Sequence, residues 1–142
     1  PNAQKMEFLH AARLLVDMGY QLYATKNTHE LLKQQGFDTC IMVYKPLVKR
    51  EPNVLTMLQT GKLDLVIDVP SSMDSQALTD GFEVRRAAVD SATPLISDIK
   101  TATLTAQALH RKWSREKSGR VFWSFNTWQE YTEVREAGLN QV

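Results

Sequence analysis

The stretch LDLVIDV, residues 63–69, is the feature that most narrows what this chain can fold into. It is nearly continuous in apolar residues rather than alternating, which marks a strand covered on both faces. Strands of that kind belong to parallel sheets, and parallel strands need a crossover, usually a helix, between them. The rest of the chain supplies the crossovers. Lys5 to Met18 places Phe8, Leu9, Ala12, Leu15 and Val16 on one helical face, with Gly19 as its stop. QLYA, residues 21–24, is a short strand. Asn27, with Glu30 three residues on, has capping-box spacing for a helix that ends at Gly36. CIMVY, residues 40–44, is the next strand. KPLVKREP is a charged loop punctuated by Pro46 and Pro52, and Val54, Leu55 and Leu58 line a short helix stopped by Gly61. After LDLVIDV, PSSMDSQALT is polar loop. Asp80 and Glu83 then repeat the capping-box spacing and open a helix to about Asp90. Pro94 leads the strand LIS, and Thr101 to about Trp113 is a last helix.

Strand and helix thus alternate in units of roughly 30 residues, which predicts βαβ crossovers and an α/β fold. The architecture expected is a doubly wound parallel sheet in three layers, α/β/α. The chain opens on a helix, so the first strand of such a fold is expected upstream of Pro1. Residues 1–115 form the expected domain and residues 116–142 an aromatic-rich extension. Within that extension RVFWSF has strand character; it fills the central place in the sheet, packs on the outside, or packs against the rest of a larger protein.

Composition narrows the function. A formal net charge of +1 argues against a dedicated nucleic-acid or membrane binder, which would carry a one-sided basic excess. A small acidic metabolite needs only a few local cations. The single cysteine, Cys40, lies in an apolar run and has no partner, which points to a reducing compartment, the cytoplasm, and to a place in the core. No stretch reaches the roughly 20 apolar residues of a membrane span. His10, His29 and His110 are not spaced as metal ligands, so no metal and no cofactor is expected. Arg85 and Arg86 are expected to make salt bridges on a helix face. Asp68 at a strand end, with the later Lys100, has a receiver-domain flavour, but Asn2 and Gln4 stand where such domains need an acidic pair.

In open parallel sheets, ligands gather beyond the carboxyl ends of the strands. The loops there include TKNT after the first strand and YKPLVKRE after the second, with Lys5 ahead of the first helix. Thr25 and Thr28 flank a helix start, where backbone N–H groups and the helix dipole favour an anion. Their hydroxyls add donors, and Lys5 and Lys45 add formal charge. The alternative is a well-capped helix start with no ligand, since Asn27 by itself accounts for capping.

YATKNTHELLKQQG, LDLVIDVP and DGFEVRRAAVDSATPLISDIKTATLTAQAL together resemble the methylglyoxal-synthase-like domain that ends the large chain of carbamoyl phosphate synthase. The resemblance runs from Lys5 to Leu109, and the AT-x-x-T turn followed by DG-[FY]-x-[VI]RR-x-AVD carries it. It implies a doubly wound sheet of five parallel strands. It implies a regulatory rather than catalytic domain, one that binds an allosteric effector and tunes ATP-dependent carbamoyl phosphate synthesis for pyrimidine or arginine metabolism. It implies as partners the rest of the large chain and a glutaminase. The effector phosphate of nucleotide-responsive members would fall on Lys5, Thr25, Thr28 and Lys45, with Tyr44, Asp68 and Ser71 shaping the rest of the pocket.

The sequence departs from both effector patterns. Asp68, Val69 and Pro70 stand where nucleotide-responsive members carry an asparagine and two threonines. Members that respond to N-acetylglutamate, for which the mitochondrial matrix is the alternative compartment, have a tryptophan at the position of Tyr44 and asparagines at those of Asp68, Ser71 and Gly81. Two alternatives to the sensor are a methylglyoxal synthase acting on dihydroxyacetone phosphate and a docking module that binds no ligand. The first lacks its Gly-Gly-Asp-type loop: LVKREPNVL offers Glu51 as its sole carboxylate. The second would use Trp123, Phe125, Trp128 and Tyr131 as anchors.

Overall fold

The computed structural model describes Met6, residues 8–69 and residues 75–119, with side chains in the last stretch from Leu78 onward. The chain falls into two compact units, residues 1–110 and 111–142. Unit one holds the alternating elements: α1 (Leu9–Asp17), β1 (Tyr23–Thr25), α2 (Lys26–Gln34), β2 (Ile41–Val43), α3 (Val54–Gln59), β3 (Val66–Ile67), α4 (Ser75–Asp90), β4 (Leu95–Ile96) and the start of α5 (Ile99–Lys117). The described part of unit two is the end of α5 and the turn after it. There Lys112 pairs with Glu116 at 3.6 Å, and the Lys117 ammonium lies 4.8 Å from the centre of the Trp113 ring. RVFWSF and the four aromatic anchors lie outside the described residues.

The expected α/β alternation is present, and both strand pairings are parallel, as the doubly wound class requires. Tyr23, Ala24 and Thr25 oppose Ile41, Met42 and Val43, while Val66 and Ile67 oppose Leu95 and Ile96. Among the described residues β1 pairs with β2 alone and β3 with β4 alone. Each pair has its own core. Ala12 of α1, Ala24 of β1, Leu32 of α2, Phe37 and Cys40 pack around the first pair; Leu58 of α3, Val66 of β3, and Val84 and Ala88 of α4 pack around the second. Helix α1 meets α5 through a small cluster of Ala11, Leu15 and Ala106. Arg13 of α1 stacks over Phe37 at 4.4 Å and donates to the Gln35 carbonyl at 3.2 Å, placing a cation at the C-terminal end of α2. Cys40 is buried as expected, and burial pushes its thiol pKa up.

Several boundaries differ from expectation for identifiable reasons. LDLVIDV pairs over two residues, not seven. Its partner β4 is bounded by Pro94, which has no N–H to donate, and by Asp98, which turns away to start α5. With so short a ladder, Val66 is buried while Asp64 is exposed and Ile67 half-buried, so the strand is not covered throughout. Strand β1 runs on to Thr25, so α2 starts at Lys26 and Asn27 falls inside the helix instead of capping it. Helix α4 begins at Ser75, within the stretch expected to be loop, and Asp80 lies inside it rather than at its cap. The caps that form are elsewhere. Asn53 accepts from the Leu55 N–H at 2.9 Å, and Asp98 accepts from the Thr101 N–H at 2.7 Å and its hydroxyl at 2.9 Å. Those bonds, the backbone one first, hold the Asp98 carboxyl below its ordinary range.

Candidate functional site

Thr25 holds the N-cap of α2 in extended conformation, φ −68° and ψ 157°, yet its side chain makes no cap hydrogen bond. Thr28 sits half-buried in the first turn. No acidic residue stands in that turn, and Lys26 opens it. A lysine at a helix N-terminus opposes the dipole, whose positive end favours a negative partner. The start of α2 therefore offers donors and positive charge that nothing in its own turn offsets.

Register brings Lys45 to the same end of the sheet. Thr25 opposes Val43 in the ladder, and Lys45 follows β2 by two residues. The loop carrying it is pinned by Asn53, which is 7% exposed. The Asn53 amide donates to the Lys45 carbonyl at 3.1 Å and the Val48 carbonyl at 2.8 Å. Tyr44 is clamped on both sides: its N–H donates to the Pro52 carbonyl at 2.8 Å, and its carbonyl accepts from Val54 at 3.1 Å. Glu51 is spent on the same loop, one oxygen taking the Asn53 N–H and the other the Thr56 hydroxyl, each at 2.8 Å. Asn53 and Glu51 as loop-fasteners were not anticipated from the sequence; the N-cap position of Asn53 ahead of VLTMLQ was the available signal.

The Lys45 ammonium is also not solitary. It lies 3.2 Å from Asp80 Oδ2, with its own side chain half exposed and that of Asp80 10% exposed. Asp68 is closed in the same manner, its Oδ2 2.9 Å from Arg85 Nη1. Arg86 pairs with Asp90 at 3.8 Å, so both arginines make the salt bridges expected of them. Gly81 lies beneath the Asp68–Arg85 contact: a Cβ there would be 2.9 Å from Arg85 Nη1 and 3.3 Å from Asp68 Oδ2. Of the seven expected site residues, Thr25, Thr28, Tyr44, Lys45 and Asp68 lie on loops or helix starts at the carboxyl ends of the strands. Lys5 and Ser71 fall outside the described residues. Among the described residues no group of His, Cys, Asp and Glu is placed to hold a metal ion, and no helix is long and apolar enough to cross a membrane.

Parallel strands alternating with helices define an α/β domain of the doubly wound class. Residues 7–97 match the family described as MGS-like domain, and the chain belongs to that family. It is similar to proteins named carbamoyl phosphate synthase large chain. The relative from Thermoplasma acidophilum is 36% identical over 108 residues, and that from Methanosarcina mazei 37% identical over 112; each match covers 76% of this chain and 10% of the relative. One from Clostridium botulinum is 33% identical over 97 residues, covering 68% of this chain and 9% of the relative. The chain thus spans about a tenth of the length of these relatives.

Proposed function

We propose that this MGS-like domain is an allosteric regulatory module. It takes a small anionic effector, of the nucleotide monophosphate or N-acetylglutamate class, on Thr25, Thr28 and Lys45, joined by Lys5. Tyr44, Asp68 and Ser71 shape the remainder of the pocket. Its parent is a longer polypeptide of the carbamoyl phosphate synthase kind, a ligase using ATP and supplied by a glutaminase, and its working compartment is the cytoplasm. The domain carries no cofactor and no catalytic residue of its own. The observation that carries the proposal is the start of α2: a threonine at the cap whose hydroxyl does no capping, followed by a lysine where the dipole calls for an anion. Charge-assisted hydrogen bonds contribute about 1.5–3 kcal/mol each. Three or four, less the cost of immobilising a ligand, give roughly micromolar to millimolar affinity. Differential binding to two states of the parent would shift its activity by a coupling of about 1–3 kcal/mol.

Calorimetry with UMP, IMP and N-acetyl-L-glutamate tests this. One of the three is expected to bind, and Thr25→Ala to weaken it about tenfold or more. The same variant is expected to keep its stability within about 0.5 kcal/mol, because the hydroxyl it loses caps nothing. Silence from all three ligands overturns the proposal. The lyase alternative fares worse on the geometry, since both Glu51 oxygens already accept bonds within their own loop. The docking alternative rests on Trp123, Phe125, Trp128 and Tyr131, which lie outside the described residues.

A further inference from the structure

We infer that Asp80 sets the chemical class of ligand this seat accepts: an anion that also carries an N–H or O–H donor near its charged group, in preference to a bare anion. The inference rests on the anion seat proposed above and deepens it.

Asp80 is 7% exposed. Its Oδ2 takes the Lys45 ammonium at 3.2 Å, while its Oδ1, shielded from solvent, accepts no hydrogen bond among the described residues. Buried carboxylate oxygens without a donor are uncommon in native proteins, because desolvation is then uncompensated. The neighbouring carboxylate shows the contrast: Asp68 is more exposed and is closed onto Arg85 at 2.9 Å.

The pair is graded from outside to inside. The Lys45 side chain is half exposed and that of Asp80 is nearly covered, so an arriving ligand meets the ammonium first. A bare anion has two options, both unfavourable. If it shares the ammonium with Asp80, it sits beside a like charge. If it draws the ammonium away, it leaves a buried carboxylate with no partner. A ligand with a donor beside its anionic group avoids both outcomes. Its anion draws Lys45 outward while its donor takes the place on Asp80 Oδ2 that the ammonium leaves, so the carboxylate, already short of one partner, keeps the other. Sites built around a buried acceptor reject analogues that lack the matching donor far more strongly than they reject a change in size.

The test is titration calorimetry on the 142-residue chain with ligands matched but for the donor. The pairs are N-acetyl-L-glutamate with its ester isostere (S)-2-acetoxyglutarate and UMP with its dideoxyribose analogue, alongside inorganic phosphate. Within whichever pair binds, the donor-bearing member is expected to be preferred by about tenfold or more. Asp80→Asn is expected to collapse that preference to about twofold and to tighten inorganic phosphate by about tenfold, since the like charge beside Lys45 is gone. An unchanged preference in folded Asp80→Asn, with Thr25→Ala still weakening the ligand, overturns this inference and leaves the seat standing. A wild-type chain silent to every ligand, with an Asp80→Asn chain that binds phosphate, upholds the role of Asp80 and overturns the regulatory proposal. Silence from both chains overturns both. Should Asp80→Asn not fold in a thermal melt, the wild-type comparison decides alone: equal affinity within the pair that binds overturns the inference.

Discussion

At the carboxyl end of β1, the Thr25 hydroxyl makes no cap bond, and the helix that follows opens on a lysine. On α4, behind the carboxyl end of β3, four charges are paired: Arg85 holds Asp68, Arg86 holds Asp90, and Asp80 receives Lys45 from the other strand pair. The two halves share one local plan, strand into helix, and differ in what their polar groups do. In the second half the Asp68 and Asp80 pairs join separate elements, so changing them is expected to register in stability, while the exposed Arg86–Asp90 pair adds little. In the first half they contribute little to the fold, which leaves them available for a ligand. A polar group that the fold does not need is the more informative one about function.

Core truncation sharpens the comparison first. Leu58 is 0% exposed and sits at the centre of the second core, whereas Leu32 of the first is 8% exposed. Both Leu→Ala changes are expected to fall within about 2–5 kcal/mol, with Leu58→Ala the more costly because it leaves the more enclosed void. Urea denaturation of the two variants checks the order, and a larger loss from Leu32→Ala would break it.

Next come the two asparagines. Asn53→Ala removes a cap and strands the carbonyls of Lys45 and Val48, for an expected loss of about 2 kcal/mol. Asn27→Ala, at a position the sequence marks as a cap and the structure places inside α2, is expected to change stability by less than about 0.5 kcal/mol. Equal losses in thermal melts would restore the capping box.

The smallest effect concerns pH. Asp98 has its folded pKa lowered by the Thr101 bonds, so its contribution is complete above the unfolded aspartate value and fades as pH falls through the folded one. Asp98→Asn is therefore expected to flatten the loss of stability in the acid limb, below about pH 4, and to leave the neutral range nearly parallel to wild type.

How far the sequence carried the structure follows from what each residue answers to. The alternation of elements was legible because apolar periodicity reports burial directly, and the fate of Cys40, Arg85 and Arg86 followed from their neighbours. Asn27 and Asp80 have the spacing of caps yet lie inside their helices, because spacing alone is a local signal. Three residues of pairing between β1 and β2 carried the strand through Thr25 and moved the helix start, and α4 began five residues before Asp80. The Lys45–Asp80 and Asp68–Arg85 contacts join residues far apart in the chain, and no local pattern announces them. Thr25, Thr28 and Lys45 were legible as candidates; that Lys45 arrives already neutralised was not.

The bare backbone at Gly81 has a consequence for how the proposed effector pocket would be re-tuned. Any side chain grafted there would meet the Arg85 fork before anything else, and that flexible arm could swing clear at small cost. Asp68 would then lose its counter-ion and turn toward whatever the pocket holds. Position 81 is in that sense a dial for the charge Asp68 shows to a guest. An asparagine introduced there alone would expose an uncompensated carboxylate, so a conversion of ligand preference has to change 68 and 81 together.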